Sequence, residues 1–190
     1  MKGSIGIFYQ LTVKDKNGKV VRKTRLRRSK SFCIAFLKML QVQNAILGVP
    51  LNIKDTLGAD EACDPFDTMF KTLQAAGSAT LGLLLGTGTT AVDNLDYVME
   101  TQIAHGNAAT QLEYGGMTEV GATEVGANVD YQLLRSCLNN SGDTIQVTEA
   151  GVYGMIKAAK TALMIHDVFT AVPVLNTETI TATYTIRTTV

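Results

Sequence analysis

The sequence predicts a mainly β protein, an antiparallel β-sandwich with an N-terminal β-hairpin and one buried α-helix over about 31–47. Three observations favour this class. Thr and Val are frequent, and β-branched side chains pack well on a pleated sheet. The chain has 17 Gly and only 3 Pro, which suits strands joined by tight turns. Strand-like segments recur at a spacing of roughly 10 to 16 residues, which is typical of an antiparallel sandwich rather than of βαβ units.

The length of the chain limits how many cores it can build. With 190 residues and 46% apolar content, it can bury one core of ordinary size. We therefore expect effectively one domain. A basic hairpin and a helix over 1–50 would pack on a sandwich body over 51–190.

The N-terminal hairpin is predicted from two strands and the turn between them. Residues 5–13 are rich in β-branched and aromatic side chains, and residues 20–26 alternate apolar with basic ones. Between them lies Asp15-Lys16-Asn17-Gly18, in which Asp and Asn favour turn positions and Gly supplies a positive φ.

The helix over about 31–47 is predicted from apolar residues at helical spacing. Ser29 and Ser31 are candidate caps, Gly48 suits the C-terminal end and Pro50 prevents continuation. Apolar side chains cover most of the helix circumference, so we expect burial on more than one side, with a subunit interface supplying the second side. The candidate interface side chains are Phe32, Phe36, Met39 and Leu40.

The rest of the chain is interpreted as strands and connections. Residues 51–66 mix Asp, Gly and Pro without a period and predict a surface connection. Strands are expected at 67–73, 79–86, 97–104, 110–119, 126–138, 144–153, 161–169 and 177–188. Two copies of Thr-Glu-Val-Gly-Ala, over 118–127, indicate a local duplication that lengthens a loop or strand.

Charge is distributed very unevenly along the chain. Residues 1–38 hold 11 of the 17 Lys and Arg and a single acid, a net charge of +10, so the remaining residues carry −10. A basic arm on one copy can attract the acidic body of a neighbour, within the range that salt screening allows.

The basic residues cluster in the second strand of the hairpin and just after it. Side chains of like charge this close together repel one another, so we expect them to face solvent or an anionic partner, either another protein or nucleic acid. The aromatic interleaving of a nucleic-acid surface is slight, and no known nucleic-acid-binding motif is visible. The candidate contact residues are Arg22, Lys23, Arg25, Arg27, Arg28 and Lys30.

The histidines do not form a recognisable catalytic motif. His105 stands beside a turn glycine and His166 lies inside a β-patterned run. The neighbouring Asp167 would point to the opposite face of that strand, so the two side chains cannot form a relay. The sequence predicts a protein that is not an enzyme.

Other patterns that carry chemistry are also incomplete. The run Gly86-Thr87-Gly88-Thr89-Thr90 lacks the Lys and the spacing of a phosphate loop, and predicts a turn or bulge. The acidic residues do not follow the spacing of a calcium loop. Cys33, Cys63 and Cys137 are far apart and odd in number, which indicates buried thiols rather than disulfides or a zinc site. We expect no cofactor and no metal.

The sequence also bears on location. The N-terminus lacks the apolar run and cleavage site of a signal peptide. The most apolar stretch, 32–47, contains Lys38 and three amide side chains and is shorter than a membrane span. We therefore expect a protein that is made in the cytoplasm and does not enter a membrane.

The C-terminal half resembles a known family. The segments that carry the likeness are Leu85 to Tyr97, Asn139 to Gly142, Ile145 to Tyr153, Ile165 to Val168 and Thr181 to Arg187. In this order they are similar to tailed-bacteriophage virion structural proteins and to β-domains of phage tail-fibre and tail-collar proteins. The resemblance implies no active-site residues.

The resemblance and the charge split together suggest two functions. The first is a structural subunit of a tailed-phage virion, at the neck, tail or capsid surface, that is made in the host cytoplasm. Such a subunit would form homo-oligomers and contact other virion proteins. The alternative is a nucleic-acid-binding or packaging-associated module that uses the basic hairpin over 14–30.

Overall fold

The computed structural model describes residues 4–29, 31–44, 50–65 and 71–189. Within these ranges it contains eleven strands and one helix. In chain order they are β1 (Ser4–Lys14), β2 (Val20–Lys23), β3 (Arg27–Arg28), α1 (Ile34–Gln43), β4 (Leu51–Lys54), β5 (Asp60–Cys63), β6 (Gly82–Gly86), β7 (Glu113–Val125), β8 (Asn128–Leu138), β9 (Ile145–Lys157), β10 (Lys160–Val174) and β11 (Thr179–Thr189).

Two antiparallel sheets form the body. The larger has the order β2-β1-β11-β8-β7, with β3 pairing β1 on the same edge as β2. The smaller has the order β10-β9-β6. One buried cluster contains side chains from both sheets and from α1. Between the sheets, the Tyr184 hydroxyl of β11 donates to Asp167 of β10 over 3.0 Å. The predicted fold class, mainly β with antiparallel sheets and one helix, is confirmed.

The N-terminal hairpin forms as its turn chemistry predicts. The Asp15 side chain accepts the backbone N–H groups of Asn17 and Lys19, and Gly18 has a φ of +80°. The returning strand is broken into β2 and β3 rather than continuous over 20–26. At the break, the Thr24 hydroxyl accepts a hydrogen bond from the Leu11 N–H. In a regular strand ladder a backbone carbonyl would be the acceptor.

Helix α1 is shorter on its N-terminal side than predicted. Neither Ser29 nor Ser31 caps it, because residues 31–33 are extended and pair with β10 through Ser31 O to His166 N and Cys33 N to Met164 O. The helix therefore begins at Ile34. The predicted C-terminal residues 45–47 lie outside the described residues.

A second hairpin occupies the segment that the sequence suggested as a surface connection. Strands β4 and β5 pair from Leu51–Cys63 to Lys54–Asp60. The turn repeats the chemistry of the first hairpin, since Asp55 accepts the N–H groups of Leu57 and Ala59 and Gly58 has a φ of +81°. The prediction of a surface connection was wrong. Strands β4 and β5 have only four residues each, so their alternating pattern was too short to recognise in the sequence.

The expected strand over 97–104 is not a strand. Its backbone touches β6 only at one bridge, between Gln102 and Gly86. Instead, side chains bind its N–H groups: the Tyr153 hydroxyl accepts Met99 N, and the Glu149 carboxylate accepts the next two. The expected strand over 67–73 lies partly outside the described residues, and Lys71 makes a single bridge to Met155.

The remaining predicted strands correspond to β6 to β11. The Thr-Glu-Val-Gly-Ala duplication lies almost entirely within β7, so it lengthens a strand. The three cysteines are buried and form no disulfide. Burial raises the pKa of the Cys33 and Cys137 thiols to about 12.

Candidate functional site

A cluster of one buried histidine, one buried carboxylate and one partly exposed carboxylate lies between β9, β10 and the loop that follows β6. His166 Nε2 is 2.8 Å from Glu149 Oε1, and His166 Nδ1 is 2.7 Å from Asp96 Oδ2. His166 is 3% exposed and Glu149 is fully buried. Asp167 points away from this cluster toward Tyr184, as expected for neighbouring strand residues.

The Gly-rich run after β6 packs closely against the Glu149 carboxylate. Glu149 accepts the backbone N–H groups of Gly88, Glu100 and Thr101 over 2.7–3.2 Å. A Cβ atom at Gly88 would lie 2.6 Å from Glu149 Oε2, and one at Gly86 would collide with the same oxygen. Both positions must therefore lack a side chain, because a carboxylate fills the space.

A second carboxylate binds the rest of the same loop. Glu100 Oε2 accepts the N–H groups of Thr89 and Thr90 over 2.7 and 2.8 Å, and Oε1 accepts the Thr90 hydroxyl. These hydrogen bonds lower the pKa of Glu100. The loop thus uses its backbone donors on the chain's own carboxylates, in the way that other Gly-rich loops use them on phosphate.

Burial and hydrogen bonding oppose one another in the histidine cluster. For Glu149, desolvation raises the pKa, but the hydrogen bonds from His166 and from the Glu100 and Thr101 N–H groups outweigh it, so the pKa is lowered. For His166, desolvation lowers the pKa, but the bonds to Glu149 and Asp96 outweigh it, so the pKa is raised. Both shifts favour the charged pair.

The cluster contains the residue types of a catalytic site, but its polar atoms are bonded to one another and to the backbone. Both ring nitrogens of His166 and both oxygens of Glu149 are engaged with groups of the chain itself. A cavity of about 620 Å³ elsewhere on the molecule is lined by residues such as Leu81, Tyr153 and Thr161, and by none of the three charged groups. His105, the other histidine, is exposed, and its Nδ1 accepts the Tyr114 N–H.

The composition gave no signal for a second buried ionic group, Arg135 in β8. It is 1% exposed and donates to five backbone carbonyls, those of Ala75, Ser78, Leu81, Leu83 and Gly115. Its guanidinium also lies 4.8 Å from the centroid of the Tyr114 ring. The planar fork of five N–H donors explains why Arg rather than Lys occupies this position.

Most of the predicted basic contact residues are exposed, as expected from the repulsion between their like charges. Lys23, Arg25, Arg27 and Arg28 are exposed along the edge formed by β2 and β3. Arg22 differs, since it forms an ion pair with Glu178 and is half-buried. Lys30 lies outside the described residues.

The predicted interface residues of the helix separate into buried and exposed ones. Met39 is 1% exposed and belongs to the chain's own core, so its assignment to an interface is corrected. Phe32 and Phe36 are half-buried against that core, and their rings contact each other at a tilt of 42°, with centroids 4.8 Å apart. Leu40 is 50% exposed, and Leu37, which was not among the candidates, is 60% exposed.

The opposite edge of the larger sheet is an exposed strand that sequence reasoning did not identify as a site. From Thr118 to Val125, every residue of β7 is exposed, on both faces of the sheet. Before this stretch, residues 74–77 cover the outer edge through Gly77 N to Tyr114 O and Met117 N to Gln74 O. Glu119 and Glu124 give the exposed stretch an acidic character.

Two further features are absent from the part of the chain that the structure describes. No group of three or more His, Cys, Asp or Glu side chains there is arranged to hold a metal ion. No helix in these ranges is long and apolar enough to cross a membrane.

The fold and its surfaces define the class of this protein as a β-sandwich with buried ionic groups that are hydrogen-bonded within the chain and with two exposed edges on one sheet. Comparison with protein-family models, with curated proteins and with solved structures finds no match in any of the three.

Proposed function

We propose that this chain is a non-enzymatic structural subunit of a tailed-bacteriophage particle, located at the neck, tail or capsid surface, and that it acts by binding other copies and other virion proteins. The single observation that carries the assembly role is the edge strand from Thr118 to Val125. An exposed strand edge of this length is a template for pairing with another chain, and isolated proteins usually protect such edges.

The exposed face of α1 supports the same role. Leu37 and Leu40 are exposed, and Phe36, one turn before Leu40, is half-buried, so apolar surface of the helix faces outward. Apolar side chains on two exposed elements, the helix and the edge strand, are typical of a protein that is completed by its neighbours.

The state of the ionic groups argues against catalysis. Glu149, His166 and Arg135 are buried and bonded within the chain, and these bonds stabilise loops and strands. A general base needs a free position toward a substrate proton. In this cluster the ring nitrogens of His166 are already committed to carboxylates.

The phage context is supported by the resemblance of residues 85–187 described above. Three of these segments lie in β9, β10 and β11, and the other two lie mainly in the loop that follows β6 and in the turn between β8 and β9. The proposed location is the virion, after synthesis in the host cytoplasm.

The test is deletion of the coding sequence from the phage that carries it. We expect incomplete particles by electron microscopy, and complete ones when the chain is supplied in trans. A chain with His105→Ala should restore particles equally well. Normal particles in the absence of the chain would contradict the proposal.

A second candidate function rests on the four exposed cations Lys23, Arg25, Arg27 and Arg28. Such a cluster would bind DNA by releasing phosphate counterions, with an affinity that falls steeply with salt. Filter binding at low salt tests this alternative. The alternative is supported if the wild-type chain retains DNA on the filter and the variant with Arg25, Arg27 and Arg28 replaced by Glu does not. It is rejected if the wild-type chain retains no DNA at low salt.

A further inference from the structure

The two edges of the larger sheet face opposite directions and carry opposite charge. At one end of the strand order lie β2 and β3, with Lys23, Arg25, Arg27 and Arg28 exposed. At the other end lies β7, with Glu119 and Glu124 exposed. The sheet is therefore a charge dipole across its width.

The strand register places these charges at one level. Arg27 pairs with Tyr9, Tyr9 with Tyr184, Tyr184 with Leu133 and Leu133 with Glu119. One row across five strands thus begins at an exposed cation and ends at an exposed carboxylate. A second copy that continues the sheet brings its Arg27 to the level of Glu119.

The two edges also agree in length and direction. The exposed part of β7 runs over 118–125, and the basic edge runs over 20–28, so each offers about one strand of ordinary length. Four successive antiparallel pairings separate β3 from β7, so the two strands run the same way. If a second copy is added in the same orientation, its β2–β3 edge therefore runs parallel to β7 of the first copy.

We propose that residues 118–125 of one copy pair with the β2–β3 edge of a second copy, so that the larger sheet continues head to tail from subunit to subunit. This inference rests on the proposed assembly function and names its partner as the chain itself. Backbone hydrogen bonds provide the contact, and the Arg and Glu side chains select the partner edge.

Charge decides between head-to-tail and symmetric pairing. Two β7 edges brought together would place Glu119 and Glu124 against the same residues, and two basic edges would place Arg25 and Arg27 against arginines. Like charges opposite each other in a sheet are destabilising. A head-to-tail contact avoids both arrangements, and its repetition gives a ring or a filament.

The experiment uses two charge-reversed variants of the full chain and their mixture. One carries Glu119→Lys and Glu124→Lys, and the other carries Arg25→Glu and Arg27→Glu. A matched control carries Asp60→Lys and Asp143→Lys, which reverse two exposed acids that lie off the edge. Thermal unfolding of each variant checks that it is folded, and sedimentation velocity over a concentration series measures association.

We expect the wild-type chain to associate, more strongly at low than at high salt, and the control to do the same. Each edge variant alone should associate at least about tenfold more weakly than the wild-type chain, because like charges then face each other. An equimolar mixture of the two should associate again, since each mutated edge meets a complementary one.

Hydrogen exchange provides a readout of backbone pairing. On association, amide exchange at the residues of 118–125 whose N–H groups point away from β8 should slow in the wild-type chain, because these groups gain partners. Unchanged exchange over 118–125 in associated protein, wild-type-like association of both edge variants, or a mixture that stays dissociated would each overturn the inference. If the chain is nevertheless required for complete particles, the assembly function stands and only the edge pairing fails.

Discussion

His166 and Glu149 form a buried ion pair, with Nε2 and Oε1 2.8 Å apart, that joins neighbouring strands β9 and β10 of the smaller sheet. The pair extends to Asp96 through the other ring nitrogen and to the Gly88 N–H through the other carboxylate oxygen. The part of the loop after β6 that contains Gly88, Asp96, Glu100 and Thr101 is thereby fixed to the sheet mainly by side chains. The position of this loop depends on the charge of two residues.

The charge on His166 predicts a pH-dependent stability. Its pKa is raised above the ordinary 6.5, so its stabilisation is complete below that pH and is lost as the pH rises through the folded-state pKa. The pKa of Glu149 is lowered below 4.5, so its contribution is lost only as the pH falls through that lower value. Between pH 5 and 8 the histidine should dominate.

The measurement is urea unfolding of the wild-type chain and of His166→Gln between pH 5 and 8. The wild-type free energy of unfolding should fall above pH 6.5, by up to about 1.4 kcal/mol per pH unit. The fall should be absent in His166→Gln and retained in the His105→Gln control. An identical pH profile in wild type and His166→Gln would contradict the assignment.

Gly88→Ala should destabilise the chain, because the added methyl group would lie 2.6 Å from Glu149 Oε2 and 2.7 Å from Glu100 Cβ. Overpacking of this kind costs about 1–3 kcal/mol. Gly121→Ala is the control, since nothing lies within 4 Å of its Cβ position. Chemical denaturation compares the two, and equal free energies of unfolding would show that the carboxylate does not occupy this space.

Arg135→Met should lower the free energy of unfolding by about 3 kcal/mol or more, because buried carbonyl groups lose their donor. The strongest of these contacts are those to Ser78 at 2.5 Å and Gly115 at 2.8 Å. Arg25→Met, at an exposed position, should change stability by less than about 0.5 kcal/mol. Similar values for both variants, measured by urea unfolding, would disprove the structural role of Arg135.

Two neighbouring residues of α1 should behave differently on truncation. Met39→Ala creates a cavity in the core and should cost about 2–5 kcal/mol. Leu40→Ala, at a half-exposed position, should cost less than about 1 kcal/mol in the isolated chain. Denaturant unfolding of both variants measures this, and a reversed order would mean that the helix is rotated relative to the structure.

Local sequence signals predicted the parts of the fold that local chemistry determines. The turn from Asp15 to Gly18 was found because it follows the eleven-residue strand β1, and the same Asp-to-Gly pattern at 55–58 was missed because both of its strands have only four residues. The run Gly86 to Thr90, predicted as a turn or bulge, instead ends β6 at Gly86 and begins the loop that leads to β7, with a bend at Thr90. The reason for its glycines, a carboxylate at position 149, becomes apparent only when the chain is folded.

The candidate surfaces were predictable to different degrees. The charge split located the basic edge, because Lys and Arg are costly to bury. It did not locate the acidic edge, because acidic residues are spread along the rest of the chain and many are used internally, such as Asp130 with Arg187. Arg135 was missed for the opposite reason, since nothing local distinguishes a buried arginine in a strand from an exposed one.

The most direct test of the assembly role is quantitative mass spectrometry of purified particles from the phage that encodes the chain. The account predicts that the chain is present in many copies per particle, in a fixed ratio to the other structural proteins. Absence of the chain from complete particles, while it is abundant in the same lysate, would contradict the account.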